Sequence, residues 1–406
     1  MVSDVITVMA SLKNGQEDTC RAVLSGLNTE TGIKIYFARN NLTHFARFLI
    51  LPDCDGGKGH KRLLFAAVFD GDRDTFLRDL RDNTSDLDAL WSFCDDYHGK
   101  NDFIRFMTKH DTPTSLYLKA FRYDTVGDIK KFLALRAELA RKFDVPPAQQ
   151  AEVLKQYRPF APLGILKRGF RLITTFITYL LITISLIPQM IALLRFGLVL
   201  IPAIRLMLSR VSLDRQYSDA PVDKSGPCYP FAPGDEVTPM KEIDSLPAFQ
   251  RRQMVQNQVT LVTINGPATA RRQEAVVASL GVFIKIPFLT RNRIIPTIHY
   301  ARWLMIDDTH RMLFLSDYDG SVLNYVSDFV DILPSGLDTL WNGTAGWRPA
   351  VTLDPEALNE GILCHNIPAL FHYSAYPDTT VVGIEQARDL YYAYHENIND
   401  NWLKLI

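Results

Sequence analysis

The chain has 406 residues, 47% of them apolar and 22% charged, with a formal net charge of −1. Such a length allows two or three domains with sizeable cores, and the balanced charge offers no basic face, so no nucleic-acid partner is expected. Five scattered cysteines (Cys20, Cys54, Cys94, Cys228, Cys364) with no CxxC pair indicate neither a disulfide framework nor a zinc site, and point to a reducing compartment.

The opening stretch "MVSDVITVMASLK" lacks the basic start and long apolar core of a signal peptide; it reads as a first strand, with the start of the chain in the cytosol. "DVITVMASL" is β-branched and alternating, and "EDTCRAVLSGL" sets Ala22, Val23 and Leu27 at helical spacing. "HFARFLIL" and "RLLFAAVF" are apolar runs joined by a Gly- and Asp-rich turn, which predicts a hairpin. "DGDRDTFLRDLRDN" opens on acidic capping residues and predicts a helix, with Asp70 well placed to cap it. "SLYLKAF" supplies a fourth strand and "TVGDIKKFLALRAELARKF" a further helix. The order within residues 1–150 is β-α-β-β-α-β with an extra helix, the ferredoxin-like split unit.

Residues 163–211 form an apolar segment. Leu172 to Leu194 is a 23-residue run without a formal charge, long enough for one membrane span, and "FGLVLIPAI" follows after Arg195. Lys155, Arg158, Lys167, Arg168 and Arg171 precede the run, Arg205, Arg210 and Arg215 follow it, and no Asp or Glu occurs between Glu152 and Asp214. Positive charge marks the cytoplasmic side, so symmetric basic flanks predict a helical hairpin, broken near Pro188, with membrane lipid as its partner and both globular units on the cytoplasmic side. A buried hairpin inside a soluble protein stays open as the other reading. Residues 212–250 form a Pro-rich linker.

Residues 251–406 then repeat the first part. His44, Ala46, Arg47 and Leu49 match His299, Ala301, Arg302 and Leu304, all displaced by 255 positions, with Phe48 answered by Trp303. "RLLFAAVFDG" is answered by "RMLFLSDYDG" after a turn six residues shorter, and Ala120, Thr125, Val126 and Ile129 meet Ala375, Thr380, Val381 and Ile384, again 255 apart. So long a repeat indicates duplication of a whole domain, each copy with its own fold. A four-stranded sheet covered by helices on one side leaves the other face bare, and two such faces bury each other. The expected fold class is α+β: two tandem ferredoxin-like units packed as an α+β barrel-like pair, with an inserted apolar helical hairpin.

Carried by "HFARFLI…LLFAAVFDG" and "HYARWLM…MLFLSDYDG", the sequence resembles the dimeric α+β barrel superfamily, and more distantly its duplicated members, the dye-decolourising peroxidases. It is also similar to a group of uncharacterised bacterial proteins sharing "QNQ-[VL]-T" (Gln256 to Thr260), "IHYARW" and "YSAYPD". The peroxidase resemblance implies haem, with a proximal His, a distal Arg to stabilise charge on peroxide, and a distal Asp in a Gly-x-x-Asp-Gly motif. His372 and His365 are then the candidate haem ligands, and Arg302, Asp319 and His299 the candidate catalytic residues. The leading Gly of that motif is absent from both "SDYDG" and "AVFDG". The other reading of these residues is structural: a His packed beside an aromatic ring, and an Asp capping a helix.

No GxGxxG, P-loop, HExxH or GxSxG motif occurs, which leaves dinucleotide, phosphate, zinc-protease and serine-hydrolase chemistry without support, and no metal site is expected; His98 reads as an exposed loop residue or a lone metal ligand. In the simplest hairpin register Arg302 lies diagonal to Asp317 on one face and should pair with it, while the first copy has Val68 at the matching place and Tyr117 in place of His372. Two functions remain: a membrane-associated, non-catalytic binding or scaffold protein holding an apolar small molecule or a partner, and a haem-dependent peroxidase-like oxidoreductase acting on a lipophilic substrate.

Overall fold

A computed structural model describes residues 3–27, 32–51, 61–84, 86–144, 255–265, 295–306, 311–332 and 366–396, with isolated positions between 273 and 344. The apolar segment 163–211, the linker 212–250 and His365 lie outside the described residues. Among the described residues no helix is long and apolar enough to cross a membrane.

The protein is a mixed α+β structure with two four-stranded antiparallel sheets. In the first, β1 (Ser3–Ser11), β3 (Arg62–Asp70) and β2 (Thr43–Leu51) lie side by side in that order. In the second, β5 (Gln256–Ile264), β7 (Arg311–Asp319) and β6 (Ile298–Ile306) repeat the arrangement. Both sheets carry a register shift at the same place, between Thr43 and Phe45 in β2 and between Ile298 and Tyr300 in β6.

The fourth strands are exchanged. β4 (Leu116–Lys119) pairs with β6, and β8 (Phe371–Ser374) pairs with β2, so each half completes the sheet of the other. Self-contained sheets are therefore corrected to interwoven ones. On the way to β4 the chain first covers the free edge of β1: Thr7 N–H donates to Asp111 Oδ1 (3.1 Å) and Thr112 N–H to Thr7 O (2.7 Å). On the way to β8 it covers β5 in the same manner, through Thr260 N–H to Asn366 Oδ1 (3.0 Å) and Ile367 N–H to Thr260 O (2.8 Å). These crossings join the two sheets along both sides and satisfy edge groups that would otherwise be open to pairing.

Alternation along each strand separates two environments. Leu63, Phe65, Ala67 and Phe69 face the helices, in a core with Leu24, Phe76, Leu80 and Trp91. Leu64 and Ala66 face the other sheet, in a core shared with Leu49, Val262, Leu304 and Leu315. Every residue of β2 and β7 is buried. Burial on both faces explains why these strands read as nearly continuous apolar runs.

The helices around the first sheet are α1 (Glu17–Gly26), α2 (Gly32–Asn40), α3 (Arg73–Asn83), α4 (Asp86–Trp91) and α5 (Phe103–His110). Sequence periodicity predicts α1 and α3 but not α2, α4 or α5, whose 9, 6 and 8 residues are too few for a clear period. Later come α6 (Val126–Phe143), α7 (Val322–Ile332) and α8 (Val381–Glu396). Gly71 and Gly320 both take positive φ (98° and 81°), a left-handed turn costly for any side chain with a Cβ. That accounts for the Gly of the repeated "DG".

The chain divides into two compact units, Met1–Asp128 with Asp214–Val382 and Ile129–Leu213 with Gly383–Ile406. The first holds both sheets. In the second, α6 and α8 pack through Leu139 and Leu390, with the Phe132 and Tyr391 rings 5.0 Å apart.

Candidate functional site

The repeated polar residues meet inside the first unit, in the layer between the sheets. His44, Arg47, Asp70, His299, Arg302, Asp317, Asp319 and His372 are all buried there. A charge in such a place costs several kcal/mol unless paired and hydrogen-bonded, so the partner of each defines what it does.

Both arginines cross to the opposite sheet. Arg47, on β2, donates from Nη1 to Val259 O (2.9 Å) and from Nη2 to Ser316 O (3.0 Å), two residues paired in register across β5 and β7. Arg302, on β6, donates from Nη1 to Ile6 O (3.1 Å) and Ala67 O (3.2 Å), the matching pair across β1 and β3. Each guanidinium thus pins its own sheet to the backbone of the facing one. Arg47 has more: Gln258 Oε1 (2.9 Å), Thr260 Oγ1 (3.1 Å) and the Asp317 carboxylate (2.5 Å). The expected Arg302–Asp317 pair is corrected: Asp317 bonds Arg47 instead, because the arginines reach across the interface and not along their own sheet. Burial pulls the Arg302 guanidinium down to about 10, the nearby charge of Arg47 acting in the same direction.

His372 on β8 lies directly opposite Arg47 on β2, and its Nε2 is 3.3 Å from Asp317 Oδ1. Burial would raise the Asp317 carboxyl, but Arg47 and His372 outweigh it and hold the group below the ordinary carboxylate value. Burial keeps the His372 imidazole below its ordinary value, against the opposing pull of Asp317. An unfolded chain protonates His372 as pH falls through about 6.5, whereas the folded chain resists until lower pH, so stability drops with acid across that window. His372→Gln is expected to flatten that part of the curve, read as urea midpoints measured downward from neutral pH. An unchanged slope would show that His372 does not contribute it.

The two histidines make the second motif. His44 Nε2 donates to Asp70 Oδ1 (2.9 Å), and Asp70 Oδ2 accepts from Val126 N–H (2.7 Å), the first residue of α6. His299 Nε2 donates to Asp319 Oδ1 (2.7 Å), and Asp319 Oδ2 accepts from Val381 N–H (2.8 Å), the first residue of α8. Each Asp therefore ties a strand end to a helix start distant in sequence. This corrects the expectation that Asp70 caps the helix beside it. Asp72 does that, accepting from Thr75 N–H (3.0 Å). The register shift in β2 and β6, next to each His, lets the imidazole leave the strict alternation of the strand.

The copies differ at one further atom. Tyr376 OH donates to His44 Nδ1 (2.9 Å), whereas the residue 255 positions earlier is Phe121, and His299 Nδ1 has no hydrogen-bond partner among the described residues. Tyr376→Phe is expected to lose about 1 kcal/mol, and Phe121→Tyr to gain a similar amount by reaching His299. Denaturant midpoints of both variants check this, and stabilisation by Tyr376→Phe would overturn it.

These commitments decide the fit of a haem. The residues that the resemblance assigns to iron and peroxide are spent on protein groups: Arg302 on two carbonyls, Asp319 on His299 and a helix start, His372 on Asp317. The Phe45 ring fills the space among them, with centroids 5.4 Å from His299, 5.6 Å from Tyr300 and Tyr376, and 6.2 Å from His372. The described residues do not fit the group. His365 lies outside them, His98 is exposed, and no cluster of three or more His, Cys, Asp or Glu suited to a metal occurs among them.

Comparison with protein-family models, curated proteins and solved structures returns no match. Spacing along the sequence did not reveal the Arg47–Asp317 bond or the part taken by Tyr376. The signal was present in a charged Asp317 inside the apolar "LFLSDYDG", and in one buried Arg at the same place in each copy.

Proposed function

We propose that the protein is a membrane-associated, non-catalytic binding or scaffold protein, built on a duplicated ferredoxin-like unit and held to the bilayer by the apolar hairpin 163–211. The observation that carries this reading is the use made of the repeated polar residues: His, Arg and Asp in both copies bind backbone and each other across the sheets, which holds the fold together and leaves no positioned acid, base or nucleophile among them. Strand exchange supports the topology. Halves that complete each other's sheets must lie on one side of a bilayer, so the apolar stretch joining them has to return to the side it left. Basic residues on both flanks make that side the cytoplasmic one. The rigid double sheet then presents its surface to an apolar ligand or a protein partner near the bilayer.

The full chain is expected to float with phospholipid vesicles, and a chain with residues 163–211 replaced by a Gly-Ser linker to stay folded in the soluble fraction. Reporters after Lys155 and after Arg215 should label from the same side. A full chain soluble without detergent, or labels on opposite sides, would sink the reading.

A further inference from the structure

We infer that the layer between the sheets holds a small monoanion, no larger than formate, on Arg302, in the place that the Asp317 carboxylate occupies for Arg47. The inference rests on comparing twin sites within one molecule and is independent of the scaffold reading, since a buried anion would stabilise the fold whether or not the chain meets a membrane.

At the Arg47 site a complete set of partners surrounds the guanidinium: two carbonyls, Gln258, Thr260 and Asp317. At the Arg302 site the two carbonyls are kept and everything else is lost. By strand register Val68 stands where Asp317 does, and Val5 where Gln258 does. Thr7 stands where Thr260 does; its Oγ1 is fully buried and has no hydrogen-bond partner among the described residues, although Thr260 Oγ1 accepts from Arg47. Tyr117, the cross-strand neighbour of Arg302, has its hydroxyl 3.5 Å from Ser3 Oγ, at the outer limit of a hydrogen bond. No carboxylate lies within ion-pair distance of Arg302 among the described residues, although the side chain is 96% buried.

Charge gives the same answer. Asp317 bonds Arg47 directly, whereas Arg302 senses the carboxylates of Asp317 and Asp111 only at longer range. A buried guanidinium without a directly bonded counter-ion is unfavourable, and its planar donor fork suits a carboxylate-like oxyanion. Val5 is shorter than Gln258, which favours a small occupant, and the two nearby hydroxyl residues are Thr7, next along the strand to the Ile6 whose carbonyl Arg302 bonds, and Tyr117, opposite Arg302 in register.

The test is equilibrium dialysis of radiolabelled formate against the purified full chain in detergent, in a buffer whose only other anion is bulky. Saturable binding at one site per chain is expected, together with a melting temperature that rises with formate or chloride. Arg302→Met removes the charge, Val68→Asp supplies an internal carboxylate, and each should weaken formate binding about tenfold or more. Thr7→Val, nearly isosteric and therefore safe for folding, should weaken it several-fold while leaving the melting temperature in the bulky anion unchanged. Absence of saturable binding by the unmodified chain overturns the inference, as does equal binding by folded Thr7→Val and Arg302→Met.

Discussion

Asp317→Ala is expected to lower unfolding free energy by about 3–5 kcal/mol, the largest loss among single changes in the intersheet layer. Among the described residues Asp317 is the only carboxylate bonded to Arg47, and it also receives His372. Removing it leaves the buried Arg47 without its bonded carboxylate and His372 Nε2 without its acceptor. The Arg47–Asp317 pair has a built-in control, because the first copy already carries Val68 at the matching position. Joint replacement, Arg47→Met with Asp317→Val, should therefore cost much less than Asp317→Ala alone, since an apolar pair fills the site without leaving a charge. Urea unfolding of the two singles and the double closes the cycle. Additive losses would show that Arg47 and Asp317 do not act as a pair. Acid should expose the same dependence: the folded Asp317 carboxyl sits below its unfolded value of about 3.9, so its contribution is complete above that pH and disappears as pH falls through the folded value.

A loss of about 2–4 kcal/mol is expected from Asp70→Ala, against about 1 kcal/mol from Asp72→Ala two residues later. Asp72 is an exposed N-cap on α3, holding Thr75 N–H in reach of water. Asp70 is buried, and its two oxygens serve His44 Nε2 and Val126 N–H, so its loss strands two buried donors that water cannot reach. Asp319→Ala should behave like Asp70→Ala, and slightly worse, because His299 already lacks a partner at Nδ1. Hydrogen exchange should separate the effects: Asp70→Ala is expected to deprotect the amide of Val126, and Asp72→Ala only the first turn of α3. Equal losses from the two substitutions would mean that the distant cap is a geometric coincidence.

Much of the architecture was legible because it depends on local periodicity. The runs "HFARFLIL" and "RLLFAAVF" became β2 and β3, "SLYLKAF" contained β4, and "TVGDIKKFLALRAELARKF" became α6 within one residue at its start. The antiparallel hairpins and the two-sheet α+β class follow from such patterns, since a strand that repeats apolar residues on both faces has to be covered on both. Residue identity also nominated the polar candidates, because a buried Arg, His or Asp in an apolar strand needs a reason wherever it ends up.

Tertiary structure alone decided the partners. Strand order cannot be read from a four-residue segment such as "LYLK", which pairs equally well by hydrogen bonding with either free edge; the crossing at Asp111 and Thr112 chose β6. Sequence spacing put Arg302 beside Asp317 and Asp70 beside α3, because spacing reports only neighbours on one element. The fold gave Asp317 to Arg47 and Asp70 to the start of α6, contacts that span 270 and 56 residues. Backbone geometry and apolar burial act over a few residues, and the sequence determines them locally; hydrogen bonds and charges join whatever two elements the packed sheets bring within about 3 Å, and that depends on every element at once.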